Sequence, residues 1–155
     1  MNSLMRFLST LALGVWIGAL LVFGAVLAPV LFSVLPSRDQ AGAVVAVALP
    51  RIHWLGMLAG VVFLGAVWVQ ERAASLLRSD TVLVLLMLLL TVISELAVVR
   101  PMHHLRRELV SIERAAETDP RRQAFERLHA ISVGLETAVL VLGVAAFYLH
   151  TRRPS

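Results

Sequence analysis

The stretch that decides the fold is TVLVLLMLLLTVISELAVV, residues 81–99, in which Glu95 is the one charged residue. A helix needs about 20 mostly apolar residues to cross the hydrocarbon core of a bilayer. A buried helix of a soluble protein is usually shorter, and an isolated strand cannot satisfy its backbone hydrogen bonds in lipid. Residues 81–99 therefore predict a transmembrane helix.

Three further stretches have the same character. Residues 7–35 carry no charge, residues 52–69 have His53 as their one ionisable group, and residues 128–149 carry one acidic residue, Glu136. The predicted fold class is therefore an all-α integral membrane protein, a single domain of four transmembrane helices in an up-down bundle. The predicted spans are residues 7–35, 41–70 with a kink at Pro50, 81–99 and 120–149.

The composition supports this class and excludes several others. Of the 155 residues, 59% are hydrophobic and 15% are charged, with a mean hydropathy of +0.84. Soluble domains are nearer roughly 45–50% apolar and about 25% charged. Cysteine is absent, which excludes disulfides, iron–sulfur clusters, thiolate zinc sites and cysteine nucleophiles. All 14 basic residues are Arg and stand mostly at the ends of apolar blocks, which is typical of a membrane protein rather than a nucleic-acid-binding one.

Pairs of glycines four residues apart occur on the first two predicted helices. They are Gly14-x-x-x-Gly18 and Gly56-x-x-x-Gly60. Because small residues at this spacing let helix backbones approach closely, we predict that helices one and two pack together.

The segment between the third and fourth spans, residues 100–127, holds seven Arg and five acidic residues. Opposite charges four residues apart indicate a solvated helix, and Asp119-Pro120 is typical of a helix start. We predict that the third helix extends beyond the membrane to about Glu117 and that the fourth begins near Pro120, forming a helical hairpin. Nine Arg on this side against five on the other favour a cytoplasmic link, and we expect the inner membrane of a bacterial cell.

Two acidic residues lie within the apolar stretches 81–99 and 128–149. Ionisable groups within a bilayer are costly and are functional hypotheses by default. The third and fourth helices run in opposite directions, and the positions of Glu95 and Glu136 put both carboxylates in the leaflet on the side of the long link. On the fourth helix, His129, Ser132 and Glu136 are spaced three and four residues apart and so share one face. These features predict a polar pocket in that leaflet.

The residues predicted to line this pocket belong to two overlapping sets. Candidates for binding a ligand or a proton are Glu95, Glu136, Arg51, His129 and Ser132. Candidate ligands for a metal ion or haem are His53, His129, Glu95 and Glu136.

Three interpretations of the pocket stay open. In the first, Arg51 or Arg100 neutralises Glu95 or Glu136, and the cluster only holds the helices in register. In the second, the carboxylates bind a proton, a cation or a small ligand. In the third, the residues hold a metal or haem, although no His-Glu-x-x-His occurs and neither Glu95 nor Glu136 begins a Glu-x-x-His motif. The cofactor therefore stays unknown, and the lack of any catalytic constellation argues against an enzyme.

Motifs along the chain resemble those of a known membrane family. They are Trp16-x-Gly18, Ala28-Pro29-x-x-Phe32, Ala41-Gly42, Val99-Arg100-Pro101 and Phe125-x-x-Leu128-His129-x-x-Ser132-x-x-Leu135-Glu136. Together they resemble the transmembrane protein 205-like family. The resemblance implies a four-helix integral membrane protein of no settled activity, with a hint of transport, metal handling or stress resistance. The chain departs from the family pattern at Glu136, where Asn is usual.

These observations lead to a functional hypothesis and an alternative of a different class. The hypothesis is a small membrane protein whose Glu/His/Arg pocket binds a small ligand, cation or proton in transport or stress resistance. Because one such bundle offers only a narrow conduit, transport would require a homo-oligomer. The alternative is an accessory structural subunit of a larger membrane complex. In either case the predicted partner is the lipid bilayer, not nucleic acid.

Overall fold

The computed structural model describes residues 3–71, 77–109 and 111–152; Arg72 and Arg153, which enter the topology prediction, lie outside them. Four long helices follow one another along the chain. They are α1 (Ser3–Val34), α2 (Arg38–Glu71), α3 (Ser79–Glu108) and α4 (Pro120–Thr151). Each is long and apolar enough to cross a membrane, and the four pack together as a bundle. The predicted all-helical membrane fold is confirmed at this level.

The start of α2 follows from its first residues. The Ser37 hydroxyl accepts a hydrogen bond from the backbone N–H of Gln40 at 3.2 Å, which satisfies one free donor of the first turn. Asp39 places a negative charge near the same helix end, where it is favourable. From there α2 runs through Pro50 without interruption to Glu71.

The third helix is shorter than the sequence predicts. α3 ends at Glu108, not at about Glu117, because Leu109 takes an extended backbone conformation and buries its side chain. Two residues further on, the Ser111 hydroxyl donates a hydrogen bond to the Asp39 carboxylate of α2. Contacts with α2 thus replace helical hydrogen bonds, so the predicted end near Glu117 is wrong, although α3 does continue beyond Val99 to Glu108.

The fourth helix begins at Pro120, with Asp119 as its N-cap. The Asp119 carboxylate accepts hydrogen bonds from the backbone N–H of Arg121 at 2.8 Å and from its guanidinium at 2.9 Å. These bonds favour the ionised form and hold the pKa of the Asp119 carboxyl below its ordinary value. The cap therefore supplies both a hydrogen bond and a charge to the start of α4.

Two π-helical segments interrupt the long helices, and each is followed closely by a proline. Val22–Leu27 precedes Pro29 in α1, and Ser94–Val99 precedes Pro101 in α3. Proline lacks an N–H and its ring crowds the carbonyl one turn earlier. A wider turn before the proline relieves this steric clash. Consistent with this, the N–H of Arg100 bonds to the Glu95 carbonyl, five residues back. The second segment matters for the site described below.

The apolar core joins all four helices, and Trp16 of α1 is buried within it. A Cβ on Gly56 would overlap the Trp16 indole, and one on Gly60 would lie 2.8 Å from it. Nothing lies within 4 Å of a Cβ built on Gly14 or Gly18. Helices one and two therefore pack closely, as predicted, but the second glycine pair makes the contact and receives a tryptophan.

Candidate functional site

A buried histidine joins three helices near their midpoints. His53 of α2 is only 1% exposed, and its Nδ1 lies 2.9 Å from Oε2 of Glu95 on α3. Its Nε2 lies 2.7 Å from Oε1 of Glu136 on α4. The hydroxyl of Ser94 also donates to Oε1 of Glu136, at 3.1 Å. We call these four residues, His53, Ser94, Glu95 and Glu136, the central site.

The π-helical segment of α3 begins at the central site. Ser94 and Glu95 are its first two residues, and both reach Glu136 or His53 although they are neighbours in sequence. Segments of this kind inside α-helices are frequent at functional sites, because they redirect side chains that a regular helix would point elsewhere. The sequence analysis missed Ser94. The available signal was Pro101, which follows the intramembrane Glu95 closely and indicates a distorted helix at this point.

The number of protons needed for the hydrogen bonds of His53 gives the central site a net negative charge. A neutral imidazole donates from one nitrogen only, whereas an ionised carboxylate only accepts. The two hydrogen bonds of His53 therefore require two protons, shared among the imidazole and the two carboxyl groups. Whether they form an imidazolium with two carboxylates, or a neutral imidazole with one carboxylic acid, the net charge is −1. A third proton or one monovalent cation would neutralise the site.

The central site brings together three of the predicted residues and leaves three out. Arg51 is exposed and donates a hydrogen bond to the Val47 carbonyl of its own helix at 3.1 Å. His129 is also exposed, and its ring stacks on Phe125 at 6.5 Å between centroids. Ser132 is buried but forms no hydrogen bond among the described residues. Of the predicted shared face on α4, Glu136 reaches the site, whereas His129 and Ser132 do not.

No arginine neutralises the central carboxylates within the part of the chain that the structure describes. Arg51 bonds to its own helix, and Arg100, at the C-terminal end of the π-helical segment, is exposed. Among the described residues, His53 is the positively chargeable group that contacts both carboxylates, in place of the Arg51 or Arg100 of the first interpretation.

Metal binding was another predicted role for these side chains. Among the described residues, no group of three or more His, Asp or Glu side chains is arranged to hold a metal ion. The reason is geometric, because the two ring nitrogens of His53 point in different directions and each is occupied by a different carboxylate. The two candidate haem ligands, His53 and His129, are respectively engaged by carboxylates and stacked on Phe125.

A second buried polar network lies at the end of the bundle that is farther from the link between α3 and α4. Nδ1 of His150 lies 2.9 Å from Oδ2 of Asp80, and its Nε2 lies 2.8 Å from the Ser9 hydroxyl. Arg78 forms a two-pronged pair with Asp80, at 3.1 Å and 2.7 Å. We call these four residues, Ser9, Arg78, Asp80 and His150, the end cluster. Its separation from the central site is about 21 Å, measured along α4 at 1.5 Å per residue.

The sequence analysis did not find the end cluster. Ser9 and His150 are 141 positions apart, and Asp80 and His150 are 70 apart. Asp80 reads locally as an acidic residue in the first turn of α3, and His150 as a basic residue in the last turn of α4. Each thus has an ordinary helix-end explanation, and no local signal connects them.

Comparison with known proteins places the chain in a family without assigned activity. Residues 11–111 match the family described as a domain of unknown function, DUF4149. No curated protein and no solved structure matches the chain, so no named relative links it to the transmembrane protein 205-like family that its motifs resemble. The matched residues include His53, Ser94 and Glu95, and they end before Glu136. Since the match spans well over half of its length, this four-helix membrane protein belongs to the DUF4149 family.

Proposed function

We propose that the protein binds and releases a proton at the central site as part of moving a small solute or cation across the bilayer. The observation that carries this proposal is His53, buried near the middle of α2 and hydrogen-bonded through both ring nitrogens to carboxyl groups of two other helices. An intramembrane ionisable group is costly, and its usual role is in an ion or proton pathway.

The carboxyl groups of the central site retain room for another proton. Oε1 of Glu95 and Oε2 of Glu136 form no hydrogen bond with the described residues, and the two side chains are 16% and 19% exposed. A net charge of −1 in a medium of low dielectric is costly, and a third proton would remove it. When a proton binds to the free oxygen of one carboxyl group, the protons within the two existing hydrogen bonds of His53 can shift. The added charge then lies on the other side of His53.

The arrangement provides a relay of three groups. In this relay Oε2 of Glu95 passes a proton to Nδ1 of His53 while Nε2 passes its own proton to Oε1 of Glu136, so one proton crosses the imidazole and the imidazole ends with the number of protons it began with. The imidazole suits this role because it is the side chain that donates and accepts through separate nitrogens. This proton transfer connects α3 to α4 through α2. A proton step at His53 can therefore be coupled to small movements between these helices.

The test is infrared difference spectroscopy of the protein in lipid nanodiscs across a pH titration. We expect the C=O stretch of a protonated carboxylic acid to appear on acidification of the wild type. It should be lost or shifted in Glu136→Gln, which keeps size and hydrogen bonding but removes the titratable group. Glu126→Gln is the matched control, because Glu126 is exposed at the link side and pairs with Arg122.

The competing role is an accessory structural subunit, in which the central site only joins α2, α3 and α4. That role predicts that Glu136→Gln leaves the carboxyl bands unchanged and lowers the melting temperature. Loss of the band with a nearly unchanged melting temperature supports the proton site. Identical spectra in the wild type and Glu136→Gln would overturn it.

A further inference from the structure

The first helix covers only part of the bundle. Ser9, Ala12, Leu13, Trp16 and Leu20 are its buried residues, and none of the described residues that follow in α1 is buried. The first half of α1 packs against α2 and α4, whereas the substantial contacts of its second half are with α2. Beyond Leu20, α1 therefore no longer fills the space beside α4.

This departure occurs at the depth of the central site. Ser9 contacts His150, and α1 and α4 run in opposite directions. Counting along α1 from Ser9 the same number of residues that separate His150 from Glu136 leads to Phe23, just past Leu20. The flank between α2 and α4 that α1 closes near the end cluster is thus not closed by α1 at the central site.

The central site, which lies at the depth of this flank, carries a net negative charge. His53, Glu95 and Glu136 together hold a charge of −1, and one oxygen of each carboxyl group lacks a hydrogen bond among the described residues. On α1, Arg6 is the one charged side chain among the described residues, and it lies at the other end near Ser9. At mid-depth the flank meets hydrocarbon, so a neutralising ligand arriving there must be soluble in lipid.

We propose that the central site binds a lipophilic organic cation that enters sideways from the hydrocarbon between α2 and α4. This inference rests on the proposed function, because it uses the same carboxyl groups. One monovalent cation neutralises the charge of −1 as a third proton does, so cation and proton exclude one another. By linkage, the affinity for the cation falls as pH falls, approaching about tenfold per pH unit where the third proton is bound.

The experiment measures binding of tetraphenylphosphonium to the full chain in nanodiscs of neutral lipid by equilibrium dialysis. Nanodiscs without the protein control for partition of the cation into lipid, and tetramethylammonium controls for access from water. We expect saturable binding of tetraphenylphosphonium that weakens on acidification. Glu95→Gln and Glu136→Gln should each lower the affinity at least about tenfold, or 1.4 kcal/mol, whereas Glu126→Gln should leave it unchanged.

Each outcome decides for or against the inference. Equal uptake of tetraphenylphosphonium by nanodiscs without the protein, or competition by tetramethylammonium at similar concentration, would overturn it. Binding to the wild type that does not respond to pH would overturn it even if both central variants fail to fold. If the infrared titration detects the proton site but tetraphenylphosphonium does not bind, the lipophilic cation is wrong and the proton-binding function stands.

Discussion

The central site and the end cluster are both built around a buried histidine, but their charges are balanced differently. In both, a buried histidine bonds through both ring nitrogens, at 2.7–2.9 Å, and at least one partner is a carboxylate. In the end cluster the second partner is the neutral Ser9, and Arg78 balances Asp80. In the central site the second partner is another carboxylate, and within the described chain no arginine is paired with it.

This difference separates a network suited to stability from one suited to binding. Asp80 is completely buried and has its negative charge matched by a fixed positive one. Glu95 and Glu136 are partly exposed, and their charge is matched only in part, by a group whose own charge is variable. In the Arg78–Asp80 pair the two charges balance, which suits a structural role. The central site has an excess negative charge and carboxyl oxygens without a hydrogen bond among the described residues, which suits binding of a proton or a cation.

The largest effect should follow from breaking the end cluster. Asp80→Asn removes the carboxylate from the buried Arg78–Asp80 pair, and breaking a buried ion pair typically costs about 3–5 kcal/mol. Unfolding in mixed mild detergent and SDS measures the loss of stability. Asp119→Asn is the matched control, with an expected change within about 1 kcal/mol, since Asp119 is more exposed and Asn also caps helices well. A similar small effect at both positions would contradict the structural role of the end cluster.

An intermediate effect should follow from disturbing the layer between the two networks. Gly56→Ala places a methyl group against the Trp16 indole and forces α1 and α2 apart, at a cost of about 1–3 kcal/mol. The same unfolding assay measures this loss, with Gly14→Ala as the control because nothing lies within 4 Å of its Cβ. Equal stability of the two variants would show that α1 does not pack through Trp16.

The smallest effect should follow from Arg51→Gln. Arg51 is exposed and bonds only to the carbonyl of Val47, so the change in stability should stay within about 0.5 kcal/mol. The infrared titration of the central site should also be unchanged. A shifted carboxyl band in Arg51→Gln would mean that Arg51 supplies counter-charge to the site, as the charge-pair interpretation of the sequence has it.

The sequence by itself determined the class of the molecule and the depth of its acids. Long apolar runs specify transmembrane helices locally, because backbone groups in lipid must bond within their own segment. The acids that interrupt two of those runs, Glu95 and Glu136, could therefore be singled out, and so could the histidine early in the second span. Helix starts at Ser37 and Asp119 were also readable, since capping depends on a few neighbouring residues.

Only the tertiary structure decided which of these groups meet. The rotation of each helix places His53 between Glu95 and Glu136 and turns His129 outward, and no local pattern encodes that rotation. The end cluster joins residues from opposite ends of the chain, and the end of α3 depends on Asp39 of another helix. Burial in lipid selects helices from short-range sequence, whereas partners for buried charges are chosen by packing among helices distant in sequence.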